Sequence, residues 1–419
     1  MKTLYPDNPS RSGKTATTIA AFLGWMFDGL EMGIFPLVAR PALQEFQRAS
    51  GPVQEAFVQL WMGRITASFL VGAALGGLLF GWLGDRIGRV RAMILSVLAY
   101  SLFTGLNYFA EAPWQLAAFR FIAALGMGGE WSLGVALVME AWPKEKRPLM
   151  AGLIGAAANL GYVLIALLAM RMHITTESWR WVMLVGAAPA LLTLGMMRHV
   201  PESETWKASQ KETSPTNPLV EIFSGRLLKN TLLAILFASI PLTVTWGIVQ
   251  WIPLWVDQMT HGQHPLAKAS IQAASCSGAI LSCLLAPLLG ARLGRRPVYC
   301  GLCLGALLTC SAFFRWFDAY NSAFLAMVFV IGAFTGAFYG WLPQYLPELF
   351  PTRARATGQG VAFNSGRLLA ALGAWQMGPL MNFFHNSYSQ AGAALVLVYL
   401  LGIATIWLAP ETRNAALPE

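Results

Sequence analysis

Hydrophobic positions run through this chain in long unbroken stretches separated by short polar segments. They do not alternate at the period of a strand, nor do they confine themselves to one stripe of a helix. The apolar stretches fall at 16–38, 57–80, 92–110, 114–139, 149–170, 181–198, 231–254, 267–289, 297–314, 321–345, 357–383 and 389–409. A helix of about 20 residues crosses roughly 30 Å of hydrocarbon, and a backbone without water around it must satisfy its own N–H and C=O groups. The pattern predicts an all-α membrane protein with twelve transmembrane helices. The first stretch holds Asp28 and Glu31 and has no small-residue cleavage site behind it, so it reads as a retained helix rather than a removable signal. Residues 1–15 are polar and are expected to be disordered.

Composition agrees with that pattern. Of the 419 residues, 56% are hydrophobic and 12% charged, where a soluble protein carries about a quarter charged residues. The formal charge of +9 would suit nucleic acid if it were clustered. Instead most Lys and Arg fall in alternate loops, on the side that also holds both termini. By the positive-inside rule that side is cytoplasmic, and the basic balance is a topology signal with some attraction for anionic lipid. All five cysteines (276, 283, 300, 303 and 310) lie in the eighth and ninth stretches without His or acidic neighbours, and read as buried small hydrophobes. No nucleotide loop, metal cluster or catalytic motif is present. The chain is expected to need no cofactor or metal and not to be an enzyme.

Between the second and third stretches stands GWLGDRIGRVR, Gly81 to Arg91, a tight basic turn in which Asp85 can cap or pair. A degraded copy, GARLGRRP, stands at Gly290 to Pro297, with no acid at the position of Asp85. Two further features recur. Glu140 precedes Arg147 as Glu348 precedes Arg355, and PES at 201–203 is echoed by PET at 410–412. The repeats divide the chain into 1–200 and 228–419, joined by a polar linker at 201–227. The loop resembles the one between helices 2 and 3 of the major facilitator superfamily. The run from Arg120 to Trp131, ending GGEW, is similar to the fourth-helix signature of its bacterial sialic-acid-type and metabolite–proton symporters. The paired Glu/Arg and PES/PET features resemble its sugar-porter branch. The resemblance implies two pseudo-symmetric six-helix bundles, a midplane site and alternating access. It also implies a monomer in the bacterial inner membrane. It further implies two cytoplasmic charge clamps: Asp85, Arg89, Glu140, Arg147 and Glu202 in the first half, and Arg295, Arg296, Glu348, Arg355 and Glu411 in the second. The second clamp, lacking the loop acid, is expected to be the weaker.

Charged side chains inside the apolar stretches carry the candidate chemistry, because they must face a cavity, find a partner or take up a proton. Asp28 and Glu31 share a helix face, Asp28 lying about 16 Å deep at 1.5 Å per residue; with Glu130 they are the candidate proton carriers. Arg64 is an expected partner for either acid of the first helix. Arg120 and Arg367 are candidate anchors for a substrate carboxylate, whose geometry a guanidinium fork matches. Asn159, Tyr162, Gln250, Tyr339 and Asn364 supply further polar groups for substrate binding; Trp341 and Tyr345 read as belt or packing residues. The expectation is a secondary active transporter that imports a small organic anion together with protons. A neutral sugar or polyol porter is the alternative. A drug or cation antiporter is a third reading, disfavoured because the fifth helix lacks the Gly-Pro motif such antiporters carry.

Overall fold

The computed structural model describes residues 11–48, 55–171, 174–212, 217–260, 264, 266–375, 383–384, 387–413, 415 and 417–418. Among them every regular element is helical. Eleven helices among the described residues are long and apolar enough to cross a membrane. The remaining expected one, 357–383, is present as Arg355–Trp375, and 376–382 lie outside the described residues. This is a multi-pass membrane protein.

The first bundle contains α1 (Arg11–Arg48), α2 (Glu55–Ile87), α3 (Arg89–Leu106), α4 (Pro113–Ala141), α5 (Arg147–Arg171) and the pair α6 (Trp179–Val185) and α7 (Ala190–His199). Two short linker helices follow, α8 (Glu204–Glu212) and α9 (Pro218–Ile222). The second bundle contains α10 (Gly225–Gly247), α11 (Ile252–Met259), α12 (Ala267–Leu293), α13 (Arg295–Trp316), α14 (Ser322–Gly336), α15 (Phe338–Tyr345), α16 (Arg355–Trp375), α17 (Tyr388–Leu395) and α18 (Val398–Thr405). Within the first bundle α4 packs on α2 and α3, and α1 on α5; within the second, α12 packs on α14, and α10 on α16. The bundles meet where α2 lies against α16 and where α5 lies against α12 and α15. Small residues line these crossings, which lets backbones come close where lipid supplies no hydrophobic drive.

Helix ends depart from the sequence pattern for local reasons. α1 starts at Arg11, inside the segment expected to be disordered, while residues 1–10 lie outside the described set. At its other end α1 runs through Pro36 and Pro41 to Arg48, beyond the expected end at 38. This extension has its own apolar core, in which Val38, Ala39, Ala42 and Leu43 are buried with Trp179 and Met183. Glu45 then accepts from the indole N–H of Trp179 and from Arg180, which closes that end. The stretch 231–254 breaks after Gly247 into a turn before α11, and 181–198 breaks at Gly186–Pro189. Trp341 is fully buried against Tyr299 and Tyr345 against Trp341, so they pack inside the bundle and form no interfacial belt.

Candidate functional site

The buried polar chemistry falls into three groups. The first lines a cavity of about 110 Å³. Its walls include the rings of Trp25, Tyr162, Trp246, Tyr339 and Phe363, and its polar groups include Asn159, Gln250, Gln272, Thr245 and Arg367. Both bundles contribute. The Gln250 amide donates to the Tyr162 hydroxyl at 3.3 Å across the axis, the Gln272 amide donates to the Tyr162 carbonyl at 3.3 Å, and the Tyr339 hydroxyl donates to Thr245 at 2.9 Å. Of the residues expected at the substrate, Asn159, Tyr162, Gln250, Tyr339 and Arg367 line the cavity; Arg120 and Asn364 do not. Trp25, Thr245, Gln272 and Phe363 were not singled out by sequence. They carry no local signal beyond being polar or aromatic in an apolar helix.

The second group holds the buried ions. Glu31 and Arg120 form an ion pair at 2.8 Å, with side chains 0% and 2% exposed. Thr104 also donates to Glu31, at 3.4 Å. The Arg120 guanidinium lies between the rings of Phe35 and Phe69, 4.4 and 4.9 Å from their centroids. Arg120 is therefore engaged inside its own bundle. Arg64 is exposed and lies over Trp61, so it partners neither Asp28 nor Glu31. The first third of α2 turns it away from the bundle, which sequence spacing could not reveal.

Asp28 and Glu130 are both buried, and neither carboxylate has a hydrogen-bond partner among the described residues. Glu130 packs directly on Gly24, one turn before Asp28. Arg367 of the opposite bundle acts on Asp28 through space without a direct bond. Arg367 is 2% exposed, and its bonded partner is the Asn364 side chain at 2.7 Å. Its Nε has no hydrogen-bond partner, and its guanidinium stands 5.2 Å over the Phe363 ring.

The third group closes the end that carries the two basic loops. Gly88 (φ 108°) and Gly294 (φ 107°) cap α3 and α13 in a backbone region that favours glycine. Each cap presents the first N–H groups of its helix to a carboxylate, the arrangement a helix N-terminus favours. Glu202 accepts from the N–H of Arg89 at 2.9 Å and of Val90 at 3.1 Å; Glu411 accepts from those of Arg295 at 2.9 Å and Arg296 at 3.1 Å. Partial burial works against the charge on Glu411. The N–H groups of Arg295, Arg296 and Arg413 outweigh it and hold the carboxyl below its usual range.

The arginine side chains are arranged differently in the two loops. Arg89 pairs with Asp85 at 2.5 Å and Glu140 at 3.2 Å. Arg295 has no loop acid and instead grips Glu348 with two bonds, at 2.9 and 2.7 Å. The two clamps are also not self-contained. Arg355 of the second bundle binds Glu140 of the first at 3.0 Å; Asp85 accepts from the Thr357 N–H at 2.8 Å and from its hydroxyl; Arg89 donates to the Thr352 carbonyl at 2.9 Å. Arg147 takes no acid, donating to the carbonyls of Met139 and Trp142, and Arg296 enters through its backbone N–H. The expectation of one clamp per half is thus corrected: the central ions tie one bundle to the other. Sequence repeats align residues within halves and carry no information on which arginine crosses.

The model of the Major Facilitator Superfamily matches residues 17–374. A Haemophilus influenzae protein named for metabolite transport is 30% identical over 95% of this chain and 97% of its own length. The cis,cis-muconate transport protein of Acinetobacter baylyi is 29% identical over 88% of this chain and 89% of its own. Among solved structures, the proton:xylose symporter XylE superposes with a TM-score of 0.80 at 19% identity, covering 97% of this chain and 98% of that one. With two helical bundles, a shared axial cavity and a family match over most of its length, the chain belongs to the Major Facilitator Superfamily of transporters.

Proposed function

We propose that this transporter imports a small organic carboxylate together with a proton by alternating access. The observation that carries the reading is Arg367. It is a buried guanidinium on the cavity wall with no acid bonded to it, whereas Arg120 is taken up by Glu31. A buried charge of that kind calls for an anion. The aromatic walls suit a flat or conjugated body, and a relative named for cis,cis-muconate points the same way.

Charge balance suggests the coupling. Asp28, Glu130 and Arg367 together carry one net negative charge if both acids are ionised, and none if the acid pair shares one proton. A carboxylate entering at Arg367 restores a negative charge, and one further proton on the acid pair removes it. Buried net charge is costly, so the neutral stages are favoured and one proton accompanies each monocarboxylate. In this reading the bundles 1–200 and 228–419 rock about the cavity on the linker 201–227. Both termini lie in the cytoplasm below the inner membrane, and the closed loop end is the cytoplasmic gate.

Proteoliposomes test the proposal with labelled benzoate and cis,cis-muconate as probes. An imposed inward proton gradient should drive either probe above equilibrium, benzoate with one proton per molecule. Uptake that only equilibrates would make the protein a uniporter. A second reading, a sugar or polyol porter, is favoured by the neutral amides of Asn159, Gln250 and Gln272 on the cavity wall. Accumulation of xylose with indifference to both carboxylates would decide for it.

A further inference from the structure

Asn364 stands where it can act on both bundles at once. It is 1% exposed and lies outside the cavity lining. Its Oδ1 accepts from Nη1 of Arg367 at 2.7 Å. Its Nδ2 donates to the Gly360 carbonyl at 2.9 Å within α16, and to the Gly128 carbonyl of α4, in the opposite bundle, at 3.2 Å. One residue earlier, Phe363 lies under the Arg367 guanidinium and stacks on Trp131 of α4, with centroids 4.0 Å apart and planes at 15°. Arg367 is therefore tied to α4 through two neighbours. The stretch they grip, Gly128 to Trp131, includes Glu130. The crossing exists because residue 77 of α2 is glycine: a Cβ there would fall on the Asn364 amide.

We propose that Asn364 is a positioning residue that couples occupancy of Arg367 to opening of the loop end. This rests on the carboxylate reading above. A guanidinium is a rigid fork of donors. Turning it toward a carboxylate in the cavity withdraws Nη1 from Asn364 and shifts it off Phe363. The Asn364 amide then loses the partner that orients it toward Gly128, and the stack on Trp131 loses its backing. The bridge between bundles is released at the substrate's depth before the ions at the loop end must part.

Two substitutions in different bundles probe the same contact. Asn364→Ser can still bond back within its helix but reaches neither Arg367 nor Gly128. Gly77→Ala leaves Asn364 in place and displaces its amide. Spin labels at positions 86 and 292, both exposed, report the loop-end distance in ligand-free protein in nanodiscs, in a background with the native cysteines replaced by alanine. Each substitution should shift the closed-to-open ratio toward open by roughly three- to tenfold, the effect of one or two net hydrogen bonds. Arg367→Gln should shift it similarly, and Asn364→Ser should add little in that background, because it acts through the guanidinium. A wild-type distribution in Gly77→Ala, or full additivity of Asn364→Ser with Arg367→Gln, overturns the inference. Saturating benzoate should lengthen the distance in the wild type and add little in Asn364→Ser; an equal response in both also overturns it. A wild type indifferent to benzoate counts against the carboxylate reading, and the ligand-free variants then decide the role of Asn364 by themselves.

Discussion

Glu140 is the acid on which the closed loop end turns, and Glu140→Gln is the sharpest perturbation of it. Its carboxylate is 1% exposed and receives Arg89 of its own bundle, Arg355 of the other and the Ser203 hydroxyl. Glutamine keeps the shape and the Ser203 bond but removes the charge. Arg89 retains Asp85; Arg355 retains only the carbonyls of Pro347 and Pro418. Stripping one partner from a buried ion pair typically costs about 3–5 kcal/mol. The two carbonyl bonds left to Arg355 moderate this, so about 2–3 kcal/mol is expected here. That penalty falls on the closed state, because opening lets water reach the guanidinium. At 1.4 kcal/mol per decade, the closed-to-open ratio drops by roughly 30- to 150-fold. Labels at positions 86 and 292 read this as a population moving to longer distance. The control is Glu348→Gln, whose partners Arg295 and Thr412 belong to the same bundle as itself; it should lower stability without moving the distance. An unchanged distribution in Glu140→Gln, or an equal shift in Glu348→Gln, would refute the claim that crossing ions hold the end shut.

Three further outcomes are expected. Arg367→Gln should weaken carboxylate binding by about 30-fold or more, from roughly 2–5 kcal/mol for a lost buried charge partner, with Arg367→Lys intermediate and the melting temperature largely kept; intact affinity for the transported carboxylate would remove the anchor role. Glu31→Gln leaves Arg120 buried without its acid and should lower stability by about 3–5 kcal/mol, a loss that adding Arg120→Met should largely restore; no drop in melting temperature would show that Glu31 does not compensate Arg120. Glu411, held below the usual carboxylate range, stabilises the fold above that range and loses its contribution as pH falls through the depressed value, so Glu411→Gln should cost about 0.5–1 kcal/mol at neutral pH and progressively less as the pH falls below the usual carboxylate range. A difference from the wild type that widens on acidification would contradict the sign.

The helical plan was legible because lipid imposes it: a backbone without water must bond to itself, and stretches long enough to cross are visible by eye. The repeated loops and the recurring Glu202 and Glu411 were legible, but their use was not: the sequence left Asp85 to cap or to pair, whereas Asp85 pairs with Arg89 and the helix starts are held by Glu202 and Glu411. What sequence could not supply was rotation and crossing. Arg64 and Arg120 are both intramembrane arginines near the acids of α1, yet α2 turns one outward while α4 turns the other onto Glu31. Arg355 matches Arg147 in the repeat. The first reaches across to Glu140, and the second settles on two carbonyls of its own bundle. Internal symmetry fixes which residues are equivalent in ancestry and says nothing about which of them meets the partner bundle.

The same limit separates Arg120 from Arg367, the two arginines that read alike in the sequence. Each is 2% exposed and each lies against an aromatic ring. They differ in what stands opposite the fork. Arg120 meets Glu31 in its own bundle, so its charge is cancelled however the bundles move. Arg367 meets a neutral amide, and the acid that acts on it through space, Asp28, belongs to the other bundle. Its compensation therefore depends on how the bundles are docked and on what else occupies the cavity. A transporter needs a buried charge of this second kind. A pair completed within one rigid body stabilises every conformation equally, and only a charge completed across the interface can make cargo and proton change the balance between conformations.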